Sequence, residues 1–343
     1  MYRLFFLFSP APIRFFILIT FCCLCSFIRA STVTDTIKPT LHGRYIVINH
    51  SRLWVELEGK GQPLFLLSGG PGSSHAYMHQ FSRLRNKHLL VYMDGFGRGR
   101  SDTAKLASEY GLARDVEDME GMRKALGFDK IDILGHSYGG VLAQAYAIRY
   151  PDHVAHLVLA NTFFSGEMWQ ANDDNSNHEI ESNYPEVWNR LMKLRAHGRK
   201  SADPEHQQVY GEVPYGFLYA YNPEKFEQES RTDTFMPSEK LIPHPRKNNP
   251  VLYYQFVGED GDFVVGGDIG KMDFRTDLGK LKMPMLIYTG RYDRVAIPKF
   301  AVLYHQYVPQ ATFMMFERSG HNPQVEEPQK LYSIIDKFFA EHP

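Results

Sequence analysis

The sequence predicts an α/β fold: a mostly parallel sheet with helices on both faces and a mainly helical cap insertion. Three observations carry this reading. Short apolar runs rich in β-branched and aromatic residues alternate with stretches of helical spacing, the pattern of strands covered on both faces. The alternation stops near Thr162 and resumes near Pro284. One apolar run, Ile131-Asp-Ile-Leu134, leads straight into Gly135-His136-Ser137-Tyr138-Gly139 and then into a helical pattern.

Taken in chain order, Tyr45–Ile48 and Leu53–Leu57 read as a hairpin. Leu64–Leu67, Leu89–Met93, Ile131–Leu134 and Leu157–Leu159 read as buried strands, with Met285–Tyr288 and Thr312–Phe316 as two later ones. Helical spacing covers Glu109–Leu126, Val141–Arg149 and Tyr332–Phe339. Residues 163–283 are polar, rich in Tyr, Asn and Pro, and helical where they are periodic. They read as a cap inserted into a core built from 31–162 and 284–343, because the sheet pattern continues after them. A second independent domain is the competing reading.

Residues 1–30 stand apart. Arg3 and Arg14 precede an uncharged apolar run from Phe15 to Ile28, and Arg29-Ala30-Ser31 opens a polar stretch. A basic start, a short apolar run and a small residue at its end describe a secretory signal peptide. The mature protein would then be secreted or periplasmic. Counted from Leu4, the run is also long enough to be an uncleaved membrane anchor, so membrane attachment stays open. All three cysteines, Cys22, Cys23 and Cys25, lie in this run. The remainder therefore has no disulfide, thiol nucleophile or cysteine metal ligand.

Of 343 residues, 43% are apolar and 22% charged, enough for a large core and too apolar for disorder. A net charge of -1 offers no phosphate-binding surface, which argues against a nucleic-acid partner. No metal motif or cofactor signature stands out; Gly97-x-Gly99 is too short and wrongly placed for a dinucleotide loop.

Gly-x-Ser-x-Gly between a strand and a helix is the signature of a nucleophile elbow. The serine sits in a strained turn, so its neighbours two residues away must be small. Gly135 and Gly139 meet that need. The helix that follows aims free N–H groups and its positive dipole end at the reacting centre. A serine hydroxyl needs a base, and chain order predicts nucleophile, acid, then histidine. Asp293 follows the strand candidate Met285–Tyr288, and His321 follows Thr312–Phe316. Both fall at strand C-terminal ends, where ligand chemistry collects in open α/β sheets. His136 is a poor base, because its backbone is committed to the elbow; packing or loop support is its expected part. An oxyanion needs fixed N–H donors. Tyr138, next after the serine, should supply one. Gly70, in the turn Ser68-Gly69-Gly70-Pro71-Gly72 after Leu64–Leu67, should supply the other.

These motifs together resemble a named family. Gly69-Gly-Pro-Gly72, Asp94-Gly-Phe-Gly-Arg-Gly-Arg-Ser101, Gly135-His-Ser-Tyr-Gly-Gly140, Gly290-Arg-Tyr-Asp293 and Ser319-Gly-His321 are similar to the prolyl aminopeptidase (proline iminopeptidase) branch of the α/β-hydrolase fold. The resemblance covers almost everything after Tyr45, and Gly-Gly-Pro-Gly is its most specific part. It implies a serine exopeptidase that releases an N-terminal residue, often proline, from short peptides. It also implies acids in the cap that meet the substrate's free amino group. The matching segment is Gly258-Glu-Asp-Gly-Asp262-Phe-Val-Val-Gly266. Asp262 is the first candidate there, with Glu259 and Asp260 as alternatives and a solvated acidic loop as the bland reading. Two departures bear on specificity. The family often has His where Ser68 stands, and Gln-Arg where Gly95-Phe96 follow Asp94. Phe96 is expected to alter the pocket wall. The same triad would also serve an esterase, amidase or lactonase acting on a non-peptide acyl substrate. A catalytically silent binder is the remaining alternative, and its mark would be a broken triad.

Overall fold

A computed structural model describes residues 43–226 and 248–343. The N-terminal run read as a signal peptide or anchor lies outside the described residues. Eight strands form one sheet in the order β1-β2-β4-β3-β5-β6-β7-β8. β1 (Arg44–Ile48) and β2 (Ser51–Gly59) make the opening hairpin. Its two-residue turn, Asn49-His50, has positive φ at both positions, the turn whose twist matches flanking strands. β2 also runs antiparallel to β4 (His88–Met93). From there the sheet is parallel through β3 (Gln62–Leu67), β5 (Ile131–His136), β6 (Val154–Ala160), β7 (Met285–Gly290) and β8 (Thr312–Phe316).

The central strands carry unbroken apolar runs because helices cover both faces. Leu64, Phe65, Leu66, Ile133 and Leu134 are fully buried. On one face the closing helix Pro328–Glu341 sets Leu331, Ile335 and Phe338 against the sheet. That spacing makes a single apolar stripe. α1 (Leu112–Ala125) and α2 (Tyr138–Arg149) pack against each other and against the hairpin and strand side.

Between β6 and β7 the described chain is helical. It contains α3 (Gly166–Asn183), α4 (Pro185–Ala196), α5 (Pro204–Tyr210) and α6 (Tyr215–Tyr219), then the helices Pro250–Val257, Gly267–Lys271 and Arg275–Leu278. An antiparallel bridge between Ser165 and Asp273 joins the two ends of this segment. A small core of its own forms around Ile180, Val213 and Leu218. No helix among the described residues is long and apolar enough to cross a membrane.

Candidate active site

Ser137 sits between β5 and α2 at φ 57° and ψ -124°. A non-glycine residue there costs roughly 1–3 kcal/mol. The fully buried Ile133 and Leu134 just before it each contribute about 2 kcal/mol by burial, so the strand can hold the strained turn. A Cβ on Gly135 would lie 2.3 Å from the Gly139 carbonyl oxygen, and one on Gly139 would lie 2.1 Å from that of Leu67. Only glycine fits at either position.

Asp293 follows β7 and His321 follows β8, and both are buried. His321 Nδ1 lies 2.7 Å from Asp293 Oδ2. The carboxylate is held on both oxygens. Val295 and Ala296 N–H donate to Oδ1 at 3.0 and 2.8 Å, and Asn161 Nδ2 donates to Oδ2 at 2.8 Å. An ionised carboxylate only accepts, so the proton on Nδ1 belongs to His321. That leaves Nε2 as the bare nitrogen. Ser137 and His321 line the same cavity.

A second chain of hydrogen bonds fixes the surroundings. The His136 Nε2–H donates to the His321 carbonyl at 2.8 Å, so its Nδ1 accepts from the Tyr77 hydroxyl at 2.9 Å. That hydroxyl in turn accepts from Gly69 N–H at 2.5 Å. Burial and the nearby His321 push His136 down to about 3, so it stays neutral. The part expected of His136, loop support, has this physical form. Gly69 abuts the serine: a Cβ there would lie 2.7 Å from Ser137 Cβ. Gly70 follows at φ 64°, facing the same cavity. Tyr138 opens α2, so its N–H precedes the first intrahelical bond.

The cavity is about 500 Å³. One side is the strand-end machinery. The other comes from the helical segment and is rich in tyrosine: Tyr210, Tyr215, Tyr219, Tyr253 and Tyr254, with Asp262 among them. Burial pushes the Asp262 carboxyl up to about 6. Its hydrogen-bond partners are the Tyr253 and Tyr254 hydroxyls, at 3.3 and 3.1 Å.

Sequence reasoning missed Asp173. Burial, then the charge of Asp262, raise it well above the carboxylate range. One of its oxygens is buried with no hydrogen-bond partner. The available signal was helical spacing, since Asp173 lies four residues after buried Trp169 and three before buried Ser176 on α3.

Three substrate-binding candidates fall elsewhere. Glu259 is exposed and pairs with Lys200 Nζ at 2.7 Å. The chain turns at Gly258, at φ 91°, past the end of the helix Pro250–Val257. That turn sends Glu259 outward, and the chain returns Asp262 to the cavity. Asp260 is engaged by Arg195 through two bonds, 2.5 and 2.9 Å. Phe96 does not line the cavity. It is buried against Tyr110, with the Arg114 guanidinium 3.7 Å above its ring.

Among the described residues, one group has metal-ligating types close together: Glu56, His75 and His79. Trp54 and His79 bond to Glu56 at 2.9 and 3.2 Å, and His75 Nδ1 meets Asp94 at 2.8 Å. Against the opposing effect of burial, Asp94 and Glu56 raise His75 to about 10. His79 is pushed the other way by burial, so this group pairs a charged His75 and a neutral His79 around Glu56 in a buried network.

The sequence pattern of the alpha/beta hydrolase fold matches residues 62–328. The chain is 28% identical to a proline iminopeptidase of Heyndrickxia coagulans over 280 residues, covering 82% of this chain and 91% of that one. It is 28% identical to a proline iminopeptidase of Saccharolobus solfataricus over 284 residues, covering 82% and 86%. Among solved structures, proline iminopeptidase from Mycobacterium smegmatis superposes with a TM-score of 0.69 at 21% identity, covering 88% of this chain and 98% of that one. An esterase from Exiguobacterium antarcticum superposes at 0.60 with 20% identity, covering 87% and 99%. At these identities the two structures speak to the fold alone.

Proposed function

The chain belongs to the α/β-hydrolase fold family, and from that premise we propose a serine exopeptidase that releases an N-terminal residue, proline foremost, from short peptides. Ser137 Oγ attacks the first peptide carbonyl, and His321 Nε2 takes its proton. Asp293 holds the His321 tautomer and stabilises the imidazolium. The N–H groups of Gly70 and Tyr138 receive the oxyanion. His321 then protonates the departing amine as the C–N bond breaks. Water, activated by the same histidine, releases the acyl group from Ser137.

One observation carries the choice of a free N-terminus. Asp262 is a half-buried carboxylate on the same cavity as Ser137 and His321, bonded by neutral tyrosine hydroxyls. A carboxylate in such a place gains most from an incoming cation, and an α-ammonium group is one. Asp173 beside it is held towards its protonated form by burial and by the charge of Asp262, so Asp262 carries the negative charge of this side. The tyrosine faces suit a compact apolar ring next to that cation. The relatives named proline iminopeptidase support the same reading.

The test is direct. The protein should cleave prolyl-β-naphthylamide and be labelled at Ser137 by a fluorophosphonate probe. Rapid turnover of p-nitrophenyl esters with no aminoacyl cleavage would replace the exopeptidase reading with an esterase. Failure of the probe to label would remove the serine mechanism.

A further inference from the structure

The least expected buried charges lie behind the serine. Arg98 and Asp115 are each 5% exposed. They pair through two bonds, Nη1 to Oδ1 at 2.9 Å and Nη2 to Oδ2 at 2.6 Å. A buried ion pair is weak support for stability by itself, because desolvation offsets the attraction. Its other contacts are informative. Arg98 Nε donates to the Pro71 carbonyl, in the turn that carries Gly70. The Tyr138 hydroxyl donates to Asp115 Oδ2 at 2.6 Å. The pair therefore grips the turn of one proposed oxyanion donor by its backbone, and the residue of the other by its side chain.

The departure at Gly95-Phe96 belongs to the same arrangement. A Cβ on residue 95 would lie 2.7 Å from Arg98 Nη1, so a larger residue there would push the guanidinium aside. Arg98 Nη1 also donates to the Phe96 carbonyl at 3.1 Å. Glycine at 95 makes room for an arginine at 98.

We propose that Arg98 and Asp115 are positioning residues that hold the two oxyanion donors, Gly70 N–H and Tyr138 N–H, in one fixed frame. This rests on the serine-hydrolase reading. Donor placement matters because an oxyanion hole works by being set before charge develops. Neither residue lines the tyrosine-rich cavity.

Tyr138→Phe removes the hydroxyl bond and keeps the donor N–H. Arg98→Met removes the grip on Pro71, and Arg98→Lys keeps the charge without the fork. All are made in the full chain and compared with wild type by fluorophosphonate labelling rate, kcat, KM and Tm. Tyr138→Phe and Arg98→Met should each lower kcat and labelling about tenfold or more, with KM within about twofold. Their combination should be little worse than the poorer single variant, because the two act through one unit. Arg98→Lys should recover only part of the loss. Unchanged kcat in folded single variants, fully multiplying losses, or a loss carried by KM would overturn the proposal. If an Arg98 variant does not fold, Tyr138→Phe and Gly95→Ala decide it by the same readouts. Absence of wild-type labelling would instead overturn the serine reading and this inference with it.

Discussion

The two sides of the cavity are built differently. On the strand side Asp293 and His136 are held by fixed partners: Asp293 accepts from His321, Asn161, Val295 and Ala296, and His136 is bonded at both nitrogens. On the helical side the carboxylates are strained electrostatically. Asp262 is raised to about 6 by burial, and Asp173 is raised well above the ordinary carboxylate range by burial and by Asp262, with one Asp173 oxygen left without a hydrogen-bond partner. Rigid, satisfied groups suit a reaction that needs positioned atoms. A half-buried carboxylate held by neutral hydroxyls, as Asp262 is, suits a cationic group of a substrate. The contrast supports the proposal that one side carries the chemistry and the other the recognition.

The largest effects should come from the strand side. Ser137→Ala should lower kcat by about 10⁴-fold or more, with fluorophosphonate labelling lost and KM little changed. Labelling that persists would move the nucleophile elsewhere. Asp293→Asn should cost about 10³–10⁴-fold in kcat through the wrong His321 tautomer, again with little change in KM. A loss confined to KM would break the division of labour.

The helical side should respond in the opposite way. Asp262→Asn should raise KM for prolyl-β-naphthylamide at least about thirtyfold, the low end for removing one partner of a buried charge pair. Turnover of a p-nitrophenyl ester should stay near wild type. Equal losses on both substrates would make Asp262 structural.

Acid should act on the same difference. An ammonium group needs Asp262 ionised, so the ratio of kcat/KM for the aminoacyl substrate over the ester should fall as pH drops through about 6. Taking the ratio cancels the titration of the shared base. A ratio flat with pH would detach Asp262 from recognition.

The smallest expected effect is on stability. A carboxyl whose folded pKa is raised holds its proton more tightly folded than unfolded, so its ionised form destabilises the fold. The penalty is absent below the ordinary value of 3.8, grows between 3.8 and about 6, and is full above that. Asp262→Asn should therefore raise stability by about 1–2 kcal/mol near pH 8, read as a higher Tm. The gain should vanish near pH 4.

This asymmetry also decides what the sequence makes legible. The strands, the elbow and the strand-end positions of Asp293 and His321 follow from local patterns: apolar runs, small residues around a strained serine, and loops after strands. The recognition side depends on how distant helices meet. Glu259 and Asp262 are chemically alike and three residues apart; the turn at Gly258 separates them, and a string of letters does not show which way it faces. Asp173 gains its meaning only because α3 approaches Asp262. Phe96 reads as a pocket wall until Arg114 and Tyr110 are seen to enclose it.

The central claim is that the helical side recognises a free α-ammonium group. Its most direct test is the kcat/KM of prolyl-β-naphthylamide against the N-acetylated form of the same compound. The account predicts a preference of about 100-fold or more for the free amine, from loss of one buried charge pair, collapsing in Asp262→Asn. Comparable turnover of both compounds by the wild type would contradict it.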